Sequence, residues 1–190
     1  PPVYRKPFWL DVGASDFTLE TNRTSDFPVG HLILLGAAPL YITAVTYDVT
    51  ANTTKVTISP TTQVEIGSRA VGRDAGLTVS DFPVAPATNP ATGGFMPVLD
   101  TVTTPLLPAD KGQLEVSFYG DVRQYTRANH LLEIDGYPYI VVGSSLSDDG
   151  RNTVVNLATP VYKDHDNTHV VRVSVRPVYA PSPVQFAGLS

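Results

Sequence analysis

The residues best suited to chemistry are two histidines in the segment KDHDNTH, residues 163–169. His165 and His169 stand four positions apart, and Asp164 and Asp166 flank the first of them. Imidazoles and carboxylates are the usual protein ligands of zinc and similar divalent ions. The segment is also polar and falls between two predicted strands, where a solvated loop would carry the same residue types. We therefore predict a loop and no metal site.

Two other histidines, His31 and His130, each come just before an apolar, strand-like run. Imidazole titrates near neutral pH, so a recurring histidine could respond to acidity. A histidine at the end of a strand more often hydrogen-bonds a nearby carbonyl group, and we favour this structural role.

The remaining motifs do not nominate a catalytic site. The sequence DDG at 148–150 lacks the alternating ligands and the closing Glu of a calcium loop. The serines of GSSLS lie outside a Gly-x-Ser-x-Gly elbow, and no phosphate-binding glycine loop is present. The absence of cysteine excludes disulfides, Cys-ligated zinc, iron–sulfur clusters and thiol catalysis. We predict a non-enzymatic protein without a cofactor.

The composition predicts an all-β protein. Among 190 residues there are 25 Val and 21 Thr, whose branched Cβ atoms favour strands, and 14 Gly and 17 Pro, which favour turns. The net charge of −5 and the scattered Lys and Arg residues disfavour nucleic-acid binding. The longest apolar runs are too short to span a bilayer, and no signal peptide is visible.

Alternating apolar and polar residues mark the strands most clearly after residue 113. In GQLEVSFYG, residues Leu114, Val116 and Phe118 alternate with polar neighbours, which is typical of a half-buried strand. Asp135-Gly136 predicts a tight hairpin between HLLEI and YPYIVVG. In HVVRVSVRP, the valines at 171, 173 and 175 share one predicted face.

The sequence also indicates an internal duplication. A shift of 99 residues aligns five identical pairs, and apolar residues between them agree in phase. The identical pairs are His31 with His130, Leu32 with Leu131, Pro39 with Pro138, Thr54 with Thr153 and Val56 with Val155. One inserted residue would then bring Pro60 opposite Pro160. Coincidence between two Val- and Thr-rich hairpins is the alternative.

We predict two tandem, related antiparallel β modules, each a small barrel or a sandwich. The first module and an N-terminal arm take up residues 1–86, and the second module takes up residues 111–180. A proline-rich, extended linker at 87–110 joins them, and residues 181–190 form a C-terminal arm. The linker is apolar enough that we expect it to pack against a module or a partner subunit.

The second module resembles a known class of protein. Its pattern of DGYPYIVVG, a polar turn and NTVVNLATPVY is similar to small β-barrel modules in the tail, neck and baseplate proteins of tailed bacteriophages. The resemblance covers residues 114–178, and residues 31–60 more loosely. It implies a structural virion protein that assembles in the host cytoplasm into rings or tubes, with copies of itself and other virion proteins as partners.

Assembly of this kind would use strand edges and apolar arms, because edge strands offer N–H and C=O groups to a neighbour. The predicted assembly contacts are Phe8, Trp9, Phe95, Met96, Leu106, Leu107, Phe186 and Leu189. The alternative function is a carbohydrate-binding or adhesive β-sandwich, because tyrosines near turns can stack on sugars. The tyrosines concerned are Tyr137, Tyr139, Tyr162 and Tyr179.

Overall fold

The computed structural model of the chain describes residues 8–35, 38–63, 66–68, 77–80 and 99–178. Strands account for 49% of the described residues, and the sheets are antiparallel. Within these ranges, helical structure is limited to a 3₁₀ turn at Thr24–Asp26, and no helix there is long and apolar enough to cross a membrane. The prediction of an all-β fold is confirmed.

The first half of the chain forms a two-stranded ladder and a five-stranded sheet. The ladder pairs β1 (Phe8–Leu10) with β6 (Ile66–Ser68). The sheet, called the first sheet below, contains β2 (Asp16–Glu20), β3 (Leu32–Leu35), β4 (Ala38–Asp48), β5 (Thr53–Ser59) and β7 (Leu77–Val79). Their order across the sheet is β2-β5-β4-β3-β7.

The second half forms a six-stranded sheet, called the second sheet. It contains β8 (Leu99–Val102), β9 (Glu115–Tyr119), β10 (Leu131–Ile134), β11 (Tyr137–Leu146), β12 (Asn152–Leu157) and β13 (Val171–Ser174). Their order is β8-β13-β10-β11-β12-β9. Strand β8 lies within the residues predicted as linker, so the second sheet begins at Leu99.

Within the described residues, neither sheet closes into a barrel, because the two edge strands of each sheet do not pair with each other. The barrel alternative is therefore wrong for this part of the chain. Closure would require a continuous ladder between the outermost strands.

Each sheet buries one face over its own core, as strand alternation dictates. The first core includes Phe17, Phe27, Ile33, Ile42 and Val56, and the second includes Phe118, Leu132, Tyr139, Val155 and Val173. A fully buried side chain of this size contributes about 1.5–3 kcal/mol relative to an exposed one. The predicted alternation fails at its ends, because Leu114 and Val175 lie outside β9 and β13 and are exposed.

The two sheets share their strand order. If β8 is left aside, β9-β12-β11-β10-β13 repeats β2-β5-β4-β3-β7 element by element. The irregularity in the β4–β5 ladder lies between Ile42 and Ala44, and that in the β11–β12 ladder lies between Val141 and Gly143. These two positions differ by 99 residues, which is the shift that aligns the sequence.

Several hydrogen bonds recur at the same shift. The hydroxyl of Thr54 donates to the carbonyl of Thr21 at 2.7 Å and accepts the N–H of Arg23 at 2.8 Å. The hydroxyl of Thr153 does the same with Gly120 and Val122, at 2.7 and 3.0 Å. In each sheet, one threonine hydroxyl thus bonds both a carbonyl group of the turn and the N–H group two residues after it.

The shift of 99 holds at both ends of this region without an inserted residue. Gly13 donates to the carbonyl of Thr62, and Gly112 donates to the carbonyl of Val161, both at 2.8 Å. Both glycines have positive φ, +87° and +94°, which a side chain would disfavour. The expected insertion that would align Pro60 with Pro160 is therefore wrong, since the bonded pairs keep one spacing on both sides of it.

The histidines predicted to have a structural role make the same contact in each sheet. The Nδ1 atom of His31 lies 2.8 Å from the carbonyl oxygen of Ser80, and that of His130 lies 2.8 Å from the carbonyl oxygen of Ser174. Each serine hydroxyl accepts the N–H of the residue after the histidine, at 2.9 and 2.8 Å. Each histidine thus ties the start of one strand to the end of another.

Candidate functional site

Residues 105–109 show how this fold binds an extended, proline-rich segment. Leu107 donates its N–H to the carbonyl of Ser117 at 2.8 Å, and Tyr119 donates to the carbonyl of Pro105 at 3.0 Å. Leu106 forms an isolated bridge with Phe118, and its side chain is buried in the second core. Main-chain bonds therefore hold this segment along the outer side of β9, and one side chain anchors it. This is the geometry of strand addition to a sheet edge.

The predicted assembly residues divide into three groups. Leu106 is buried in the chain's own core at 2% exposure, whereas Leu107 beside it is half-buried. Phe8 and Trp9 form part of β1, where the backbone alone is described. The others, Phe95, Met96, Phe186 and Leu189, lie outside the described residues.

A cluster of polar side chains surrounds the two histidines of the KDHDNTH segment. The Nδ1 atoms of His165 and His169 are 3.1 Å apart, and the Nε2 atom of His165 lies 2.8 Å from the hydroxyl of Tyr139. The Nε2 atom of His169 lies 3.8 Å from the Oδ2 atom of Asp135. The backbone N–H of Tyr162 donates to the Tyr139 hydroxyl at 3.1 Å. The segment is a loop, as predicted, but its histidines face inward.

The hydrogen-bond partners fix the protonation of both imidazoles. Because the backbone N–H of Asp166 donates to His169 Nδ1, that nitrogen is an acceptor and the facing His165 Nδ1 is the donor. In the neutral His165 ring the Nε2 atom then accepts from the Tyr139 hydroxyl, whose oxygen also accepts the N–H of Tyr162. We therefore assign the His165 hydrogen to Nδ1, where it donates to His169 Nδ1. The hydrogen of His169 is then on Nε2, the nitrogen nearest Asp135. The hydrogen-bonded chain thus runs from Tyr139 in the second core through His165 to His169, and the carboxylate of Asp135 lies 3.8 Å beyond it.

Electrostatics keep this chain neutral at its buried end. Burial, followed by the neighbouring imidazole of His169, lowers the pKa of His165 to about 4. At the exposed end, the hydrogen bond from Lys163 Nζ, 2.8 Å long, lowers the pKa of Asp135. Asp135 is therefore charged, and His165 is uncharged, near neutral pH.

Among the described residues, no group of three or more His, Asp or Glu side chains could hold a metal ion. The carboxylate of Asp166 accepts from the backbone and hydroxyl of Thr168, and that of Asp164 accepts from the Lys111 N–H. Sequence reasoning missed Asp135 and Tyr139 because they belong to a hairpin about 30 residues away.

A second polar cluster lies where the two sheets meet. Strands β4 and β11 lie against each other. An apolar group that we call the shared cluster contains residues from both sheets: Leu32, Tyr41, Leu99, Leu131, Ile140 and Val178. Leu34 and Ala158 pack against it.

Within this contact the Tyr41 hydroxyl donates to the carboxylate of Glu133, a buried residue of β10. Arg172 of β13 holds the other carboxylate oxygen through its Nε atom at 2.7 Å and its guanidinium NH₂ group. Burial, followed by the negative charge of Glu133, raises the pKa of Tyr41 well above its ordinary value. The carboxylate is thus paired on both sides, as a buried charge must be.

Two of the tyrosines proposed to contact sugars are buried. Tyr139 and Tyr162 stack with ring centroids 4.9 Å apart and belong to the second core. Tyr137 is half-buried beneath the Lys163 ammonium group, and Tyr179 lies outside the described residues. The exposed tyrosine on the outer face of the second sheet is Tyr119, at 52% exposure, directly opposite Asn152. Asn156 lies on the same face, because its neighbours Val155 and Leu157 point into the core.

No protein-family model matches the sequence, and no curated protein matches it.

Proposed function

We propose that this chain is a non-enzymatic structural component of a phage-like virion. In this proposal, the two sheets belong to two related β modules: the first module comprises residues 8–80, and the second comprises residues 99–178. The proposal combines the similarity of residues 114–178 to phage tail, neck and baseplate modules with the strand order and hydrogen bonds that recur at a shift of 99 residues.

The single observation that carries the assembly mechanism is the attachment of residues 105–107 along β9. An extended segment bound by main-chain hydrogen bonds needs little sequence complementarity, and one buried leucine fixes its register. The same mode would let arms of one subunit pair with an edge of the next. Within the described residues, β2, β7 and β8 are outermost strands with no further strand paired to them, and they supply such sites.

The first test is the native mass of the purified chain by light scattering, with negative-stain images of the same sample. We expect closed rings or tubes with a fixed number of subunits. A monomer at high concentration would contradict assembly by the chain alone.

A matched pair of variants tests whether a strand edge is used. Thr18 on edge strand β2 and Thr46 on interior strand β4 both lie opposite Lys55, and both are exposed. Thr18→Glu and Thr46→Glu therefore add the same charge beside the same lysine. We expect Thr18→Glu to reduce the assembled fraction at least 10-fold, because charged side chains block edge pairing, and Thr46→Glu to assemble normally. Equal behaviour of the two variants would exclude the β2 edge.

One observation favours a second candidate function, a carbohydrate-binding module. Tyr119 is exposed on a sheet face that also carries the amides of Asn152 and Asn156. Tyrosine rings stack on sugars, and amides bond their hydroxyl groups. Tyr119→Ala should abolish the change in tyrosine fluorescence on titration with glycans, whereas Tyr125→Ala, which removes an exposed tyrosine in a turn, should not. A flat response of the wild-type chain across glycans would exclude this function.

A further inference from the structure

The contact between the two sheets uses the same positions on both of them. Along β3 and β4, the residues that point away from the first core are Leu32, Leu34, Pro39 and Tyr41. Along β10 and β11, the residues that point away from the second core are Leu131, Glu133, Pro138 and Ile140. Each residue of the first set lies 99 positions before its counterpart in the second.

Equivalent residues of the two sheets therefore belong to one cluster. Leu32 and Leu131 are both fully buried in the shared cluster, together with Tyr41 and its counterpart Ile140. A contact in which the same patch is used by both partners is isologous, and it has local two-fold symmetry. Such a contact closes on itself and leaves no copy of the patch for a further partner.

The side chains break this symmetry at three positions. Tyr41 meets Glu133, and Glu133 also pairs with Arg172. The counterpart of Tyr41 in the second module is Ile140, and the counterparts of Glu133 and Arg172 in the first module are Leu34 and Thr78. Ile140 belongs to the shared cluster, and Leu34 packs against it. One half of the contact therefore has a hydrogen-bonded tyrosine, carboxylate and guanidinium, whereas the other half has the apolar side chains of Ile140 and Leu34 in the positions of Tyr41 and Glu133.

We infer that this face is a docking surface whose occupant is the opposite module, and that Tyr41, Glu133 and Arg172 are its specificity-determining residues. Pairing of two first modules would bury the Tyr41 hydroxyl against Leu34 without an acceptor. Pairing of two second modules would bury the Glu133 carboxylate against Ile140 without the tyrosine donor. Each like pairing leaves a buried polar group without its partner, which costs more than the bond contributes when it is made. The unlike pair satisfies all three groups.

This inference rests on the proposed relation between the two modules, but it is independent of whether the chain assembles further. A protease site inserted between Gly93 and Gly94 allows the folded chain to be cut once. Native mass spectrometry at low micromolar concentration then identifies the pairs, because the two fragments differ in mass. Larger assemblies have different masses, so a failure to assemble is distinguishable from a failure to pair.

We expect the cut wild-type chain to remain a one-to-one pair of unlike fragments. Tyr41→Phe, which keeps the ring and removes the hydroxyl, should raise the dissociation constant of the fragments about 10- to 100-fold, as for a hydrogen bond to a charged group. Circular dichroism of the uncut variant verifies that it folds.

A variant that makes the two faces alike tests the specificity itself. Tyr41→Ile, Glu133→Leu and Arg172→Thr together give the polar positions the residues of their counterparts. After cutting and dilution, we expect like pairs to appear and the unlike pair to fall to roughly half, as random pairing requires. Separation of the wild-type fragments on cutting, or like pairs in the wild type, would overturn the inference. So would exclusive unlike pairing in the triple variant.

Discussion

At the scale of single residues, His165 shows how burial converts a surface-type residue into a structural one. Its backbone pairs with Ala109, and its ring bonds Tyr139 and His169, so it links the segment at Ala109 to Tyr139 in the second core. The ring is 2% exposed and must be neutral to accept the tyrosine hydrogen. Protonation would place a second hydrogen on Nε2, the nitrogen that accepts from the Tyr139 hydroxyl in the neutral form.

This predicts a loss of stability in mild acid. The pKa of His165 is about 4 in the folded chain and 6.5 in an ordinary environment. Between these values the unfolded chain binds one more proton at this residue than the folded chain does. The contribution of neutral His165 to the free energy of unfolding is therefore complete above pH 6.5 and decreases as the pH falls to 4. The loss amounts to about 3 kcal/mol at most. Urea unfolding at several pH values measures it.

His165→Gln removes the titrating group, and we expect the free energy of unfolding of this variant to change less between pH 6.5 and 4 than that of the wild type. Asn167→Gln, an exposed substitution in the same loop, should keep the wild-type dependence. Identical slopes for wild type and His165→Gln would show that other groups cause the acid sensitivity.

Leu106 and Leu107 allow a comparison of adjacent residues in the segment along β9. Leu106→Ala should lower the free energy of unfolding by about 2–5 kcal/mol, because it leaves a cavity in the second core. Leu107→Ala should cost less than about 1 kcal/mol, because its side chain is half-buried. Chemical denaturation measures the free energy of unfolding of both variants. Equal decreases would contradict the structure, in which Leu106 is buried and Leu107 is half-buried.

At the scale of elements, the recurring threonines predict equal effects in the two sheets. Thr54→Val and Thr153→Val each remove one donor and one acceptor from a buried strand-to-turn contact. Each should cost about 1–3 kcal/mol, since backbone groups lose their partners. The double variant should show the sum to within about 0.5 kcal/mol, because the sites share no partner.

Thr46→Val on the exposed face of β4 is the control for these threonine variants, and it should change the free energy of unfolding by less than about 0.5 kcal/mol. Urea unfolding of the four variants measures all of these values. A large cost in one sheet and none in the other would show that the two contacts are not energetically equivalent.

The sequence predicts local elements well for a physical reason. The Asp135-Gly136 hairpin is confirmed, with φ of +52° and +80°, because these two residue types tolerate the left-handed region that a two-residue turn needs. The strand at Val116 and Phe118 is likewise confirmed by burial on one face. These features depend on neighbouring residues, so their signal is contained in a short stretch.

Contacts between distant elements leave no such signal. Tyr41 and Glu133 are 92 positions apart, and nothing near either residue indicates the other. Glu133 within LLEI resembles a residue of an exposed strand face until the opposing sheet covers it. The attachment of residues 105–107 to β9 was equally hidden, because prolines suggested an extended path without indicating which surface it follows.

At the scale of the whole molecule, the shared cluster predicts cooperative unfolding. Leu32 and Leu131 are fully buried between the two sheets, so either sheet alone would expose them. We expect one transition on urea titration, with the same midpoint by far-UV circular dichroism and by fluorescence of Trp9, the single tryptophan of the chain.

Leu131→Asp should separate the two signals into different midpoints, because a buried carboxylate without a partner weakens the contact between the sheets. Val170→Asp, at an exposed position of the same half of the chain, is the control and should keep a single transition. Two transitions in the wild-type chain would show that the shared cluster does not couple the two sheets.

The local two-fold symmetry inferred for this contact has a consequence for proteins that carry the proposed module once. A module needs the bonds that recur here, made by Gly13 or Gly112, His31 or His130, Thr54 or Thr153, and Ser80 or Ser174. It would also have the uncovered leucine face of β3 or β10. A single-module chain with apolar residues at the position of Tyr41 and Ile140 and at the position of Leu34 and Glu133 is therefore expected to be an obligate homodimer, whose two subunits reproduce the arrangement found here within one polypeptide.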